Sequence, residues 1–367
     1  MNRRQRQQRH QRRREHPQSV DRPRLVISQD HYPKVKNGHI VPCVYQRSFA
    51  IDEAVAVHVP GKEKCIPLNI AKVGTRPRFY RRKRPDGTPI DDFETTLAAV
   101  ESRVAPMLRD VVAGAPLTFE RKGGLTQFLA LQMLRGPVFV ARHHDNVDQF
   151  LPQELTMEHV KPALIALTGG DMELARERVV EAFRNPTERL KRMVTISMKV
   201  SAVLGSMRWR LVRFADPVVA YSDQPVVVWP LAVEAYRTLP TEPNFGPLEA
   251  LEVQVPLSPH LVLLMTWDDE DDELDPVDVP APYAAETNAL VIAQADKQWM
   301  HQLGPEPPVA LGTVRPLSRA FSDGYTAETA RVSRRRAQTA RYLHRVRNRE
   351  YLNDFEVVTI RRNSRAA

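Results

Sequence analysis

The spacing of the apolar residues changes near residue 207, and this constrains the fold more than any other feature of the chain. Between Asp91 and Ser206 apolar side chains recur every three or four residues. That is the period of an amphipathic helix. Asp91-Asp92 can cap a first helix through Val112, carrying Phe93, Leu97, Val100, Val104, Leu108 and Val111, with Pro106 inside it and Gly114 as the stop. A second is expected over 123–135, with Leu125, Phe128, Leu129 and Gln132, ended by Gly136-Pro137. Three more follow at about 151–167, 171–184 and 187–206, the last two divided at Asn185-Pro186.

Beyond residue 207 the pattern becomes one of short β-branched or aromatic runs separated by Pro, Gly and Asp. The runs are Trp209 to Phe214, Val218 to Tyr221, Val226 to Trp229, Leu251 to Val255 and Leu261 to Trp267. The acidic series Asp268, Asp269, Glu270, Asp271, Asp272, Glu273, Asp275 and Asp278 reads as a surface loop, because like charges at that density repel and resist burial. Helices near 285–302 and 326–350 would close the chain. The expected fold class is therefore α+β: a mostly helical N-terminal half packed with a small, mainly antiparallel sheet, and a basic C-terminal helix. The expected division is a disordered basic tail over 1–30, a single α+β domain over 31–310 and a basic helical extension over 311–367.

Charge explains the two ends of that division. Residues 1–24 hold nine arginines against Glu15 and Asp21, net +7, and residues 331–367 hold eleven against three acids, net +8. The whole chain carries +9, so residues 25–330 carry −6. The first segment has too few apolar residues to offset chain entropy by burial. Arginine-rich ends attract nucleic acid or another polyanion through counterion release, or else serve as solvated tails. Arg12, Arg13 and Arg14 and Arg334, Arg335 and Arg336 are the densest clusters. The two cysteines, Cys43 and Cys65, are 22 residues apart, which excludes a zinc-ribbon spacing and argues against a disulfide framework. No apolar run approaches the roughly 20 residues of a membrane span, so a cytoplasmic protein is expected.

Several short motifs resemble one family in order along the chain. They are His39-Ile40-Val41-Pro42 with Tyr45 and Phe49, Glu94 and Glu101, Arg135-Gly136-Pro137, Trp209, Ser222-Asp223-Gln224-Pro225-Val226, Pro256-Leu257-Ser258-Pro259 and Asn288. Over roughly residues 37–300 they resemble the domain-of-unknown-function family 4238, which opens on His-x-Val-Pro-x-x-Tyr-Leu-x-x-Phe. Two positions depart from its pattern: Gln46 stands where leucine is usual and Gly38 where a second histidine is common. The resemblance implies an architecture and candidate positions but no reaction.

Five residues are weighed for chemistry. His39 is either a general base or metal ligand, or a packed histidine supporting the turn at Pro42. Glu94 and Glu101, seven apart, share one helix face beside the apolar stripe. Arg135 lies seven residues after Phe128, on nearly the same face, and a buried guanidinium there needs a carboxylate or phosphate partner. Asp223 is either a metal ligand or a turn former before Pro225. Ser222 lacks a nucleophile elbow, and His143-His144-Asp145 points its side chains in different directions. Two functions follow. One is a binding or regulatory protein with polyanion affinity through its ends. The other is a nucleic-acid hydrolase dependent on Mg or Mn, in which His39, Glu101, Arg135 and Asp223 converge.

Overall fold

In a computed structural model of the chain the helical spacing of residues 91–206 is realised, among the described residues, as a series of helices that pack on one another. The structure describes residues 37–348 apart from 60–61, 63, 78, 84–87, 91, 146–161, 232–245, 273–274, 313 and 323. The N-terminal segment expected to be disordered, with Arg12, Arg13 and Arg14, lies outside the described residues, as does the first part of the helix expected at 151–167.

The described strands and helices are as follows, in chain order. The first segment contains β1 (Asn37–His39), α1 (Cys43–Gln46), β2 (Ala54–His58), β3 (Ile66–Asn69), β4 (Thr75–Pro77), β5 (Arg82–Lys83) and β6 (Pro89–Ile90). The helical middle contains α2 (Asp92–Val112), α3 (Phe119–Leu134), α4 (Pro137–Asp145), α5 (Pro162–Leu167), α6 (Met172–Arg184) and α7 (Pro186–Ser206). Then come β7 (Arg208–Arg213), β8 (Tyr221–Ser222), β9 (Val227–Pro230), β10 (Ala250–Ser258), β11 (Leu261–Thr266) and β12 (Val277–Asp278). The chain closes with α8 (Pro282–Ala293), β13 (Trp299–His301), α9 (Ala327–Val332) and α10 (Arg334–Asn348).

The apolar stripes do what their spacing requires. α2 buries Leu97, Val104, Leu108 and Val111, and α3 buries Leu125, Phe128, Leu129 and Gln132. α3 begins four residues before its expected start, because the Thr118 hydroxyl accepts from the Arg121 amide at 3.3 Å and so caps the helix. It packs along α2 and α7 and joins a core that includes Trp209, Trp229 and Trp267. Each large apolar side chain buried there contributes about 1.5–3 kcal/mol.

The expected architecture of a helical N-terminal half against one small sheet is corrected by the strand pairing. The fold is mixed α/β, with the helices mostly in the middle of the chain. Two sheets flank them: a five-stranded one ordered β12-β7-β11-β10-β9, antiparallel except for β12 with β7, and a four-stranded one ordered β3-β2-β13-β8. The second sheet combines strands from residues 54–69 with a strand from residues 299–301, a stretch expected to be helical. Ala54-Val55-Ala56-Val57 has only two residues of strong strand preference, so its pairing depends on neighbours far along the chain. α8 stops at Ala293 because the Gln294 side chain turns to the backbone of Val228, accepting from its N–H at 3.0 Å and donating to its carbonyl at 2.7 Å.

The closing helix expected over 326–350 is two helices that meet at Ser333, and the acidic loop holds the second. The Asp269 carboxylate accepts from the Ser333 hydroxyl and from the amides of Arg334 and Arg335, at 3.0–3.1 Å. A carboxylate at a helix N-terminus satisfies orphan amides and complements the helix dipole. The neighbouring acids stay at the surface because cations meet them: Arg208 pairs with Asp268 and Glu270, and Lys122 with Asp272 at 2.9 Å.

Candidate functional site

The opening motif first builds a packing element. Pro42 caps the short helix α1, and Tyr45 and Phe49 are fully buried against Tyr221 from β8. The Tyr45 hydroxyl donates to the Pro256 carbonyl, which ties this segment to the Pro256-Leu257-Ser258-Pro259 motif. Gln46 is buried where an apolar residue would need no partners, and its amide is satisfied on both sides. It donates to the carbonyls of Val41 and Val73 at 2.8 and 3.1 Å and accepts from the Tyr221 hydroxyl at 3.0 Å.

His39, Glu101 and Arg135 come together beside this element. Arg135 is the C-cap of α3 and is only 2 % exposed. Its Nη1 donates to Glu101 Oε1 at 2.7 Å, its Nε to the Tyr80 hydroxyl at 3.1 Å, and its Nη2 to the backbone carbonyl of His39. The Tyr80 hydroxyl donates in turn to the Arg135 carbonyl at 3.2 Å. Gln132, one turn earlier, donates to the Ile40 carbonyl at 2.6 Å. One end of α3 is thus fastened to β1 through the backbone of the His-Ile pair. Burial works against the Arg135 charge, but Tyr80 and Glu101 hold the guanidinium protonated more firmly than usual.

Two glycines fit this joint for steric reasons. A Cβ on Gly38 would run into the Glu94 carboxylate and lie 3.0 Å from the Tyr80 ring, so the second histidine of the family pattern has no room here without rearrangement. A Cβ on Gly136 would strike the Gln224 side-chain amide. The Arg-Gly-Pro and Ser-Asp-Gln-Pro motifs therefore touch at Gly136 and Gln224.

Arg135 takes the His39 backbone carbonyl, while the His39 ring has its Nε2 3.3 Å from the Cys43 sulfur. Burial lowers its pKa and Arg135 lowers it further, while Glu101 opposes both. Burial raises the Cys43 pKa, so the pair is neutral imidazole against thiol and lacks the thiolate of an activated cysteine.

Asp223 is held in a different place. Its two carboxylate oxygens accept from the backbone amides of Asp296 and Lys297, both at 2.8 Å, and its own amide donates to the Gln298 carbonyl at 3.1 Å. It anchors the turn that leads from α8 into β13. Among the described residues His39, Glu101 and Asp223 do not form a group with metal-ligand spacing. Burial outweighs the two amide bonds and raises the Asp223 pKa from 3.8 to about 6. The sign of the pH effect follows. Below about pH 4 the carboxyl is protonated folded and unfolded; as pH rises towards 6 the unfolded chain ionises first, so folding loses about 3 kcal/mol across that window. Urea unfolding of wild type and Asp223→Asn from pH 4 to 7 checks this: the difference between them should change over that interval and be constant above it. Parallel curves throughout would remove Asp223 as the titrating group.

The basic candidates divide by exposure. Arg334 has a side chain 82 % exposed, with its Nε 3.4 Å from Asp269. Arg335 donates to the Glu270 carbonyl at 2.6 Å, and Arg336 donates to the Leu248 carbonyl at 2.8 Å and pairs with Glu249.

A family model described as protein of unknown function (DUF4238) matches residues 37–302. The chain belongs to this family. Neither the comparison with curated proteins nor that with solved structures finds a match. The DUF4238 region begins at β1 and ends one residue beyond β13, so it contains the whole Arg135 joint and the Asp223 turn. Tyr80 is the member of the joint that the sequence did not nominate. It lies between short strands with no periodic pattern around it, and the only signal for it was the general need of a buried Arg135 for partners.

Proposed function

We propose that this DUF4238 protein is a binding or regulatory protein without catalysis, and that its arginine-rich ends supply affinity for nucleic acid or a similar polyanion. The observation that carries the first half is Arg135. Its guanidinium donors are spent on Glu101, Tyr80 and the His39 carbonyl, which leaves the fold's most buried cation committed to structure rather than to phosphate. The second half is supported by charge: net +7 and +8 at the two ends against −6 between them, with Arg334 and Arg341 exposed on α10. No helix among the described residues is long and apolar enough to cross a membrane.

Fluorescence titrations of single- and double-stranded DNA and RNA against salt test the reading. Removing residues 1–24 is expected to weaken binding and to flatten the slope of log K against log salt by about 0.9 for each lost contact with duplex phosphate. An unchanged slope would leave the segment a solubilising tail. The convergence of His39, Glu101 and Arg135 is what a second reading rests on, a hydrolase using Mg or Mn, although Asp223, its fourth residue, is held apart from them by the amides of Asp296 and Lys297. Both carboxylates it needs already have partners. Adding Mg or Mn to the same titrations discriminates: cleavage that is lost in His39→Ala would replace the binding reading by the hydrolase.

A further inference from the structure

The four-stranded sheet brings together three ligand-type side chains that the sequence keeps 7 and 236 residues apart. β2 pairs with β3 from Ala54↔Asn69 to Val57↔Ile66, and with β13 from Trp299↔His58 to His301↔Ala56. One further step of the first register sets Cys65 across from His58. Residues opposite one another in an antiparallel pair share a face, as do residues two apart on one strand. His58, Cys65, Trp299 and His301 therefore belong to the same face of the sheet.

The side chains meet there. The Nε2 atoms of His58 and His301 are 3.1 Å apart, and a ligand atom from each of His58, Cys65 and His301 lies within 4.8 Å of the others. A tetrahedral zinc ion with Zn–N bonds of about 2.0–2.1 Å separates two nitrogen ligands by about 3.3 Å. The imidazole pair is thus already at close to the spacing of a tetrahedral edge.

The His301 ring is set up to offer a lone pair, and the His58 ring is held in place beside it. His301 Nδ1 is 2.7 Å from the Gln302 carbonyl, which only accepts, so Nδ1 carries the proton and Nε2 is left free. The His58 ring stacks on Trp299 with centroids 3.7 Å apart and planes 5° from parallel, which fixes its orientation. Glu306 Oε1 lies 3.9 Å from His58 Nε2 on a mainly exposed side chain. The Asp223 turn positions this arrangement, because it delivers β13 to its place beside β2.

We propose that His58 Nε2, His301 Nε2 and the Cys65 thiolate bind a divalent ion of the zinc class, with the Glu306 carboxylate as the fourth ligand. Two imidazoles and a thiolate select zinc over Mg or Mn, which favour oxygen ligands. Binding releases the Cys65 thiol proton to solvent, and His58 binds as its Nδ1–H tautomer with Nε2 bare. The ion would tie the start of β3 to β13, closing three strands of the sheet across one face. This site is independent of the polyanion reading, and its test contains no nucleic acid.

The full chain, freed of metal by a chelator and kept reduced, is titrated with Co²⁺ as a spectroscopic probe and then with Zn²⁺. The expected result is one equivalent of cobalt with four-coordinate visible bands and a near-ultraviolet thiolate-to-cobalt band, all displaced by zinc. Cys65→Ser should abolish the thiolate band, and His58→Gln and His301→Gln should each weaken zinc binding at least about tenfold. Cys65 is exposed, so its substitution tests the site without disturbing the core, while His301 is buried and its variant needs a circular-dichroism check. Cys43→Ser, at the His39 contact, should leave the spectrum unchanged. If no thiolate band appears, or if Cys65→Ser and His58→Gln bind zinc like wild type, the two histidines form only an imidazole-to-imidazole hydrogen bond and the proposal fails.

Discussion

Replacing Arg135 with methionine is expected to destabilise the fold by about 3–5 kcal/mol, the range for removing one partner of a buried ion pair. The loss has three parts. The Glu101 carboxylate, 23 % exposed, keeps some water but loses its 2.7 Å partner. The Tyr80 hydroxyl loses the Nε donor, and the buried His39 carbonyl loses Nη2. Against a total stability of about 5–15 kcal/mol this is a large fraction. Arg135→Lys should recover part of it, because an ammonium restores the charge but not the fork of donors that reaches three partners at once. Pairing Arg135→Met with Glu101→Gln should cost less than the sum of the two, since the neutral amide no longer needs a cation. Urea unfolding followed by tryptophan fluorescence reads all of these, because Trp209, Trp229 and Trp267 are in the core. A loss below about 1 kcal/mol for Arg135→Met would show that the joint carries little of the fold's stability.

A comparable loss is expected at Glu252, which lies in the middle of β10 and is fully buried. Its Oε1 accepts from the Leu317 amide at 2.8 Å and from the Gln254 side chain at 2.5 Å, and its Oε2 from the Ser318 amide at 2.8 Å. Burial raises its pKa against these three donors. Glu252→Ala leaves all three donors without a partner inside the protein, at about 1–3 kcal/mol each, so an overall loss of about 3–5 kcal/mol is expected after partial relaxation. Hydrogen exchange provides the local readout. The Leu317 and Ser318 amides should lose protection in the variant by more than residues on β11 do, since Glu252 is what holds the 317–320 turn onto the sheet. Equal loss everywhere would mean that the carboxylate matters to global packing and not to that turn.

Both positions show how much of the structure could be seen in the residue order. Arg135 was nominated because a guanidinium on an apolar helix face has to find a partner, and Glu101 because it shares a face with α2's stripe. That argument needs only periodicity and the cost of burying charge. Asp223 reads in the sequence as a local turn former or a ligand, whereas its carboxylate accepts from an amide 73 residues away, that of Asp296. Glu252 was passed over entirely. It stands in a strand of otherwise buried residues, and nothing local distinguishes a carboxylate that will accept two amides 65 and 66 residues away from one that faces water. The strands β2 and β13 were missed for a related reason: each is short, and each is defined by the other.

The sequence by itself determined most elements with strong local periods and the distribution of charge: the helices that became α2, α3, α6 and α7, most of the runs that became the five-stranded sheet, the acidic loop and the two basic ends, but not α4, which no expected element covers. Their signals arise within one or two turns or one strand, where side-chain spacing alone decides which face is buried. The tertiary structure decided what joins across the chain. It placed residues 54–69 in a sheet with residues 299–301, set Asp223 apart from Arg135, gave the acidic loop its cations, and brought His58, Cys65 and His301 to one face. These outcomes rest on strand register and on partners for buried polar groups, both of which are properties of pairs of segments. No single stretch of residues carries that information.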